Sequence, residues 1–145
     1  MRYKKILMDV DDTLFDFPTG NRRAVEQLME ELYSYTGIEM VKNQVDTLLG
    51  PGMNIHRHPL NGRNFEYFSE DPLVTGKMAA AMIRGLQRAG VTGTAKHFCG
   101  NNRETKRHYL DSVISERALR EIYLKGFEIA VKEGNADSIL SLIHI

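Results

Sequence analysis

Hydrophobic positions along the chain alternate between short continuous runs and one-sided helical stripes. Residues 6–10 are a short apolar run that ends in carboxylates, a pattern typical of a buried strand, and residues 91–98 are also predicted to form a strand. In residues 22–32 and 73–89, and from about Ser115 onward, apolar residues recur at steps of three and four, which predicts amphipathic helices. The chain therefore opens with a β-loop-α unit and continues as alternating strands and helices.

Local signals place the ends of the second predicted helix. Pro72 follows the acidic Asp71 and suits a first helical position, and Gly90 suits the helix end. Before it, residues 45–49 read as a strand that enters a Gly-Pro-Gly turn, and the helical pattern breaks around residues 33–37. The alternation predicts an α/β fold of parallel βαβ units, with functional residues where strands end and loops begin.

Length and charge narrow the possible functions. The 145 residues make one ordinary domain and fall short of the ~250 typical of a β/α barrel, so any barrel here is a fragment. Lys plus Arg and Asp plus Glu both count 19, so we expect no nucleic-acid or membrane partner and favour a small molecule. The start of the chain resembles the beginning of a signal peptide, but Asp9 interrupts its apolar run, so we expect a cytoplasmic protein. We expect the Cys99 side chain to pack as a small hydrophobic group.

Two carboxylates follow the first predicted strand. The spacing of Asp9 and Asp11 predicts that both side chains point to the same side of an extended segment, where they could share Mg²⁺ and a phosphoryl group. The alternative is an acidic loop that caps the next helix. Residues 3–17 resemble the first motif of haloacid dehalogenase-like phosphatases, and this resemblance implies Asp9 as nucleophile, Asp11 as general acid and base, and Mg²⁺ as cofactor.

The phosphatase resemblance is incomplete. It fades by about residue 32, and the later Ser or Thr, Lys and acidic pair of that family have no match in a fitting context. Without those groups the charge on a transferring phosphoryl group is not neutralised. We therefore expect little phosphatase activity.

A second resemblance covers about two thirds of the chain. Blocks at residues 48–57, 62–66 with 69–72, 96–98 and 115–121 occur in the order found in the N-terminal barrel domain of glycoside hydrolase family 3, which residues 36–139 closely resemble. The resemblance implies a partial (β/α) barrel, a TIM-barrel fragment, and β-glucosidase-type retaining hydrolysis of O-glycosyl bonds. It implies no cofactor for this part and a sugar or glycoside as the partner.

Four basic side chains are the candidate sugar-binding residues. A pyranose ring offers many hydroxyls, which convergent hydrogen-bond donors can hold. The resemblance places Arg63 on the family's substrate arginine, Lys96 and His97 on its Lys-His pair, and Arg107 on a further arginine that contacts the glycone. The alternatives are a solvated strand end for the Lys-His pair and structural ion pairs for the arginines.

Other polar residues near these four have weaker claims. His56 and His58 could ligate a metal, but no third ligand follows at a suitable spacing. Glu66, Glu70 and Glu104 resemble catalytic acids only in residue type. The family resemblance makes none of them catalytic, and Glu66 and Glu70 fall in a block that we expect to hold loops together.

Retaining hydrolysis requires groups that the resemblance places elsewhere. The mechanism uses a carboxylate nucleophile and a separate carboxylic acid. In the family, both fall outside the part that corresponds to residues 36–139. We therefore expect this chain to be inactive alone as a glycosidase. The alternatives are a Mg²⁺-dependent phosphatase fragment acting through Asp9 and Asp11, a sugar-binding relic, and a non-functional chimeric fragment. An unfinished barrel also predicts marginal stability and association through exposed edges.

The two resemblances divide the chain into segments. Residues 1–35 form the phosphatase-like segment, residues 36–139 the glycosidase-like segment, and residues 140–145 a tail that departs from the family pattern. This tail matches one translated frame of a common sequencing adapter, which suggests the hypothesis of a chimeric assembly product. The alternative for the tail is an ordinary apolar strand.

Overall fold

The computed structural model describes residues 19–141 as helices packed against a small parallel sheet. The helices are α1 (Thr19–Lys42), α2 (Pro72–Arg88), α3 (Glu116–Ala118) and α4 (Lys125–Gly134). The strands are β1 (Thr47–Leu48), β2 (Thr92–Phe98) and β3 (Ser138–Ser141). Short 3₁₀ turns cover Asn64–Glu66 and Arg107–Tyr109, and a π-helical turn covers Leu119–Tyr123.

The sheet has its strands in chain order, β1-β2-β3, and every pairing is parallel. Thr47 lies opposite Thr92, and Thr94 lies opposite Ser138. Helices connect each strand to the next, as parallel strands require. The predicted α/β class with βαβ units is confirmed.

Helix α2 begins and ends where its sequence signals predict. The Asp71 side chain caps it by accepting hydrogen bonds from the backbone N–H groups of Leu73 at 2.6 Å and Val74 at 3.2 Å. Pro72 occupies the first turn, where its missing N–H costs nothing. Gly90 follows the helix with φ +85°, a conformation that favours glycine.

Small residues on α2 let two other helices approach it closely. Ala79, Ala80 and Ala81 are fully buried. A Cβ at Gly85 would lie 2.3 Å from the Glu30 carbonyl oxygen of α1, and a Cβ at Gly76 would lie 2.8 Å from Ile129 of α4. Helix α2 therefore lies between α1 and α4 at distances that only glycine allows.

Helix α1 extends further than the sequence pattern predicts. The predicted break around residues 33–37 is wrong, because the helix continues to Lys42. Gly37 packs so closely against α2 that a Cβ there would lie 2.6 Å from Cβ of Ala89. This tertiary contact outweighs the weak helix propensity of the local sequence. The helix runs without a break across the boundary predicted between residues 35 and 36.

The last helical region is interrupted, although the sequence predicts one continuous helix. Ser115 caps its start as expected, with its Oγ accepting from the Ala118 N–H at 3.3 Å. The π-helical turn Leu119–Tyr123 then separates α3 from α4. Asn135 ends α4 in the left-handed conformation, with φ 52°.

The strand β3 includes the first two residues of the predicted tail. Leu140 lies opposite Lys96, and Ser141 lies opposite Phe98. This agrees with the alternative of an apolar strand for these two residues. Residues 142–145 lie outside the described part of the chain.

The surface of the described residues carries several exposed large apolar side chains, among them Leu60, Phe65, Tyr109 and Val113. Association through such surfaces stays a prediction. No helix within residues 19–141 has both the length and the apolar character needed to cross a membrane.

Candidate functional site

The four predicted sugar-binding residues meet at the carboxyl end of β2. Lys96 and His97 are close to the end of the strand, Arg63 lies in the connection between β1 and α2, and Arg107 lies in the connection between β2 and α3. Parallel strands direct such connections to one edge of the sheet. The structure therefore brings together side chains from three separate parts of the sequence. We call Arg63, Lys96, His97 and Arg107, together with Glu66 and Glu104, the strand-end cluster.

Two carboxylates link the basic members of the strand-end cluster. Glu66 lies 3.1 Å from Arg63 Nη1 through Oε1 and 3.1 Å from Lys96 Nζ through Oε2. Glu104 lies 3.5 Å from Arg63 Nε through Oε1 and 3.1 Å from Arg107 Nη1 through Oε2. Arg63 is therefore held between two carboxylates, and each carboxylate also holds a second cation.

His97 is held at its backbone and at its ring. Its side chain and backbone are almost fully buried, with 2% of the residue surface exposed. The Asn54 side chain donates to the His97 carbonyl oxygen at 2.8 Å and accepts from the His97 N–H at 2.8 Å. A buried peptide group needs such partners, so Asn54 fixes the strand end at the Lys-His pair.

The His97 ring is neutral in this environment. Burial, followed by the positive charge of Arg63, lowers its pKa from 6.5 to about 4. Ring atom Nε2 is in contact with Arg63 Nη1, and Nδ1 lies 3.3 Å from the Tyr67 hydroxyl. Because a guanidinium can only donate, Nε2 accepts from Arg63 and the ring proton lies on Nδ1, facing Tyr67.

Tyr67 and Asn101 connect the His97 ring to Glu104. The Asn101 side-chain amide donates to the Tyr67 hydroxyl at 2.8 Å and to Glu104 Oε1 at 2.8 Å. Burial raises the pKa of Tyr67 far above its usual value. The Asn61 side chain donates in turn to the Asn101 carbonyl oxygen at 3.0 Å.

Glu104 is ionised despite partial burial. Burial alone would raise its pKa, but the hydrogen bond from Asn101 and the charges of Arg63 and Arg107 outweigh it and lower the pKa below 4.5. Both carboxylates of the strand-end cluster are thus committed to ion pairs. This arrangement suits the positioning of cations better than it suits proton transfer.

The histidines considered as metal ligands have other partners. His56 Nε2 lies 3.0 Å from the Asn64 carbonyl oxygen and 3.1 Å from that of Tyr67, and His58 Nδ1 accepts from the Leu60 N–H at 3.1 Å. In the part of the chain that the structure describes, no three His, Cys, Asp or Glu side chains form a group that could hold a metal ion.

A cavity of about 350 Å³ lies beside the strand-end cluster. Apolar side chains of α1 and the Leu48–Gly52 segment form most of its wall, and Glu66 and Lys96 reach its edge. The cavity shares this ion pair with the cluster. Its lining residues are Met29, Leu32, Tyr33, Leu48, Leu49, Gly50, Pro51, Gly52, Phe65, Glu66, Tyr67, Phe68, Met82 and Lys96.

The sequence analysis missed three polar residues that support the cluster, namely Asn54, Tyr67 and Asn101. Asn54 lies within a block that carries the glycosidase resemblance, whereas Tyr67 and Asn101 lie between the blocks. The resemblance therefore gave a signal for Asn54 alone, and the side-chain partners of all three residues depend on how the loops fold. Asn54 reaches a residue 43 positions away.

The phosphatase-like residues cannot be placed in this site. Asp9 and Asp11 lie outside the described residues 19–141. The Mg²⁺ site and the phosphatase resemblance stay predictions.

Comparison with known proteins gives strong matches to one group of hydrolases. The glycosyl hydrolase family 3 N terminal domain matches residues 18–144. A β-glucosidase of Ruminococcus albus is 62% identical over 137 residues, which cover 92% of this chain and 14% of that protein. The chain thus spans a small part of the length of this relative.

Solved structures give the same picture. A β-glucosidase from Paenibacillus barengoltzii shares 63% identity with a TM-score of 0.78, over 80% of this chain and 13% of that one. β-Glucosidase 3B from Thermotoga neapolitana, solved in complex with α-D-glucose, shares 53% identity with a TM-score of 0.78, over 80% of this chain and 16% of that one.

Proposed function

Because the chain belongs to glycosyl hydrolase family 3, we propose that its strand-end cluster binds the glycone of a glucoside during β-glucosidase-type hydrolysis of O-glycosyl bonds. One observation carries the proposal. Arg63, Lys96, His97 and Arg107, which come from three parts of the sequence, are joined into a single network at the carboxyl end of β2.

The chemistry of the cluster suits a neutral, hydroxyl-rich ligand. Guanidinium and ammonium groups donate hydrogen bonds to hydroxyl oxygens, and the carboxylates of Glu66 and Glu104 offset most of the positive charge of Arg63, Lys96 and Arg107. An anionic ligand would compete with those carboxylates for the same cations. Glucose is the first ligand to test, because the similar Thermotoga neapolitana enzyme was solved with α-D-glucose.

The cluster's location fits the barrel fragment that the sequence predicts. The strand order follows the chain order, whereas doubly wound folds reverse their order at a switch point. Helices α1 and α4 flank α2, as neighbouring helices do around the outside of a barrel. We therefore propose that residues 19–141 form an arc of a (β/α) barrel, with the cluster at the face where barrel enzymes bind ligands.

This part of the chain contributes binding and orientation in the proposed function. The neutral His97 ring is buried beside Arg63, and the ion pairs fix the donors in place before a sugar arrives. Such preorganisation lowers the cost of ordering the site on binding. Because Glu66 and Glu104 are held in ion pairs, we assign neither of them the role of nucleophile or proton donor. We expect sugar binding without turnover by the 145-residue chain.

A paired binding and turnover assay tests this proposal. Saturation-transfer NMR with glucose should show saturable binding to the chain, and the Arg63→Met variant should abolish it. Arg117→Met is the matched control, because Arg117 is an exposed arginine that is ion-paired to Glu121 away from the cluster. Nitrophenyl β-glucoside should not be hydrolysed by any of the three proteins.

Two results would contradict the proposal. Absence of glucose binding to the wild-type chain, under conditions where its fold is shown by circular dichroism, would remove the binding role. Equal loss of binding in the Arg117 and Arg63 variants would show that the effect does not arise at the cluster.

A further inference from the structure

Glu104 has contacts that connect two of the predicted sugar-binding residues. We propose that Glu104 is a positioning residue, which couples Arg63 to Arg107 and sets the orientation of both guanidinium groups toward the sugar. This inference rests on the proposed function, because that function assigns both arginines to the binding of one sugar.

The geometry of Glu104 differs from that of an ordinary surface acid. Its Oε1 receives the Asn101 side chain at 2.8 Å and lies 3.5 Å from Arg63 Nε. Its Oε2 receives Arg107 Nη1 at 3.1 Å. The two oxygens thus face different arginines, and only 23% of the side chain is exposed. A charge-assisted bond in such a setting restrains its partner more than a solvated pair does.

Glu104 also connects two loops that follow different strands of the sheet. Arg63 belongs to the connection after β1, and Glu104 and Arg107 belong to the connection after β2. The other carboxylate, Glu66, shares a short turn with Arg63 and reaches Lys96 of β2. Glu104 is therefore the ionic link through which the second loop holds Arg63.

The chain of contacts continues from Glu104 to the buried ring of His97. Asn101 donates both to Glu104 and to the Tyr67 hydroxyl, which faces His97 Nδ1. Arg63 completes this ring of contacts, because its guanidinium group contacts His97 Nε2. A change at Glu104 should therefore alter the orientation of the Arg63 side chain, although Glu104 itself need not touch the sugar.

The test compares Glu104→Gln with Glu128→Gln. Glutamine keeps the size of the side chain and can still accept from Asn101, but it loses the charge. Glu128 is a matched control, because it also bridges two cations, Lys125 at 2.9 Å and Lys132 at 2.6 Å, on the exposed face of α4.

Three quantities are measured in each variant: the glucose Kd, the urea midpoint, and the Nε–Hε NMR signal of Arg63 in the absence of sugar. For Glu104→Gln we expect glucose binding to weaken about tenfold, as the loss of one charge-assisted bond implies. The urea midpoint should stay close to that of the wild type, and the Arg63 signal should shift or broaden. Glu128→Gln should leave all three unchanged.

The outcomes separate this inference from the proposed function. If glucose binds the wild type and Glu104→Gln equally well, the positioning role is wrong and the proposed function stands. If the wild type binds no glucose, the proposed function fails, and the Arg63 signal alone decides whether Glu104 positions that side chain. An Arg63 signal identical in the wild type and Glu104→Gln overturns the inference, as does a loss of affinity that merely follows a lower urea midpoint.

Discussion

The helical layer and the strand-end cluster hold their shapes by opposite means. Around α2, glycine and alanine let helix backbones approach until no side chain fits between them, as at Gly85 and Gly76. In the cluster, Arg63 and its carboxylate partners are partly exposed and are held by charge and hydrogen bonds. The stability of the helical layer therefore depends on steric fit between helix backbones, and the geometry of the strand-end cluster depends on ion pairs between its cations and carboxylates.

This difference separates two kinds of mutational effect. A steric change between helices should reduce the free energy of unfolding, because close-packed interiors absorb added volume poorly. Loss of a cation in the cluster should cost little stability, because partly exposed ion pairs contribute weakly. It should instead reduce ligand binding.

The largest expected effect is a steric one in the helical layer. Gly85→Val should cost about 3 kcal/mol of unfolding free energy, because its side chain has no room against α1. Even a Cβ at this position would lie 2.3 Å from the Glu30 carbonyl oxygen. Urea denaturation followed by circular dichroism measures the cost. Leu73→Val, on the exposed first turn of α2, is the control and should cost far less.

A wild-type-like urea midpoint for Gly85→Val would show that α1 does not pack on α2 as described. That result would also remove the physical reason for a helix continuing past residue 37.

The next effect concerns the buried His97 ring and the pH. Its pKa in the folded chain is about 4, below the ordinary value of 6.5, so the unfolded chain binds the extra proton more readily between these values. Stability should therefore be complete above about pH 6.5 and should fall by about 3 kcal/mol as the pH decreases toward 4.

Urea midpoints measured from pH 7 to pH 4 in the wild type and in His97→Gln check this expectation. The variant should lack the part of the pH dependence that the ring contributes, while other groups titrate equally in both proteins. Parallel curves for the two proteins would mean that the ring is not held neutral in the folded chain.

A smaller effect on stability, with a large effect on binding, is expected for Arg63→Met. Arg63 is partly exposed and ion-paired, so its loss should change the unfolding free energy by only about 1 kcal/mol. Glucose binding should be lost. Calorimetric titration with glucose and urea denaturation of the same sample measure the two quantities together. A large loss of stability with retained binding would reverse the comparison between the two regions.

The smallest effect is expected for Glu128→Gln. Hydrogen bonds from the side chains of Lys132 and Lys125 lower the pKa of Glu128 to about 2, yet the group is exposed to solvent. Screening by water and salt makes such a pair a poor source of stability. We expect no measurable change in the urea midpoint at pH 7, and a clear change would show that ion pairs on the helix surface contribute more than the cluster comparison assumes.

Local signals in the sequence predict much of this fold. The cap at Asp71, the proline after it and the turn at Gly90 locate α2, and the apolar run before Lys96 locates β2. These signals act through neighbouring residues, so they can be seen without the fold. The extension of α1 beyond residue 33 could not be predicted in this way, since it depends on contact between Gly37 and a distant helix.

The candidate site, like the fold, could be predicted from the sequence only in part. Because Lys96 and His97 are basic residues at the end of a predicted strand, the sequence predicts that they lie at an edge of the sheet. The family resemblance adds Arg63 and Arg107 to the predicted site. The pairing of Asn54 with the His97 backbone, and of Glu104 with two arginines, depends on how the loops cross in space. No local pattern in the sequence encodes those crossings.

The central claim is that the strand-end cluster binds one sugar as a unit. A glucose titration of the isotopically labelled wild-type chain, followed by NMR at Arg63, His97 and Arg107 side-chain signals, tests it most directly. The account predicts that all three signals shift along saturating curves with one common Kd. Signals that stay unchanged at saturating glucose, or that shift with clearly different Kd values, would contradict it.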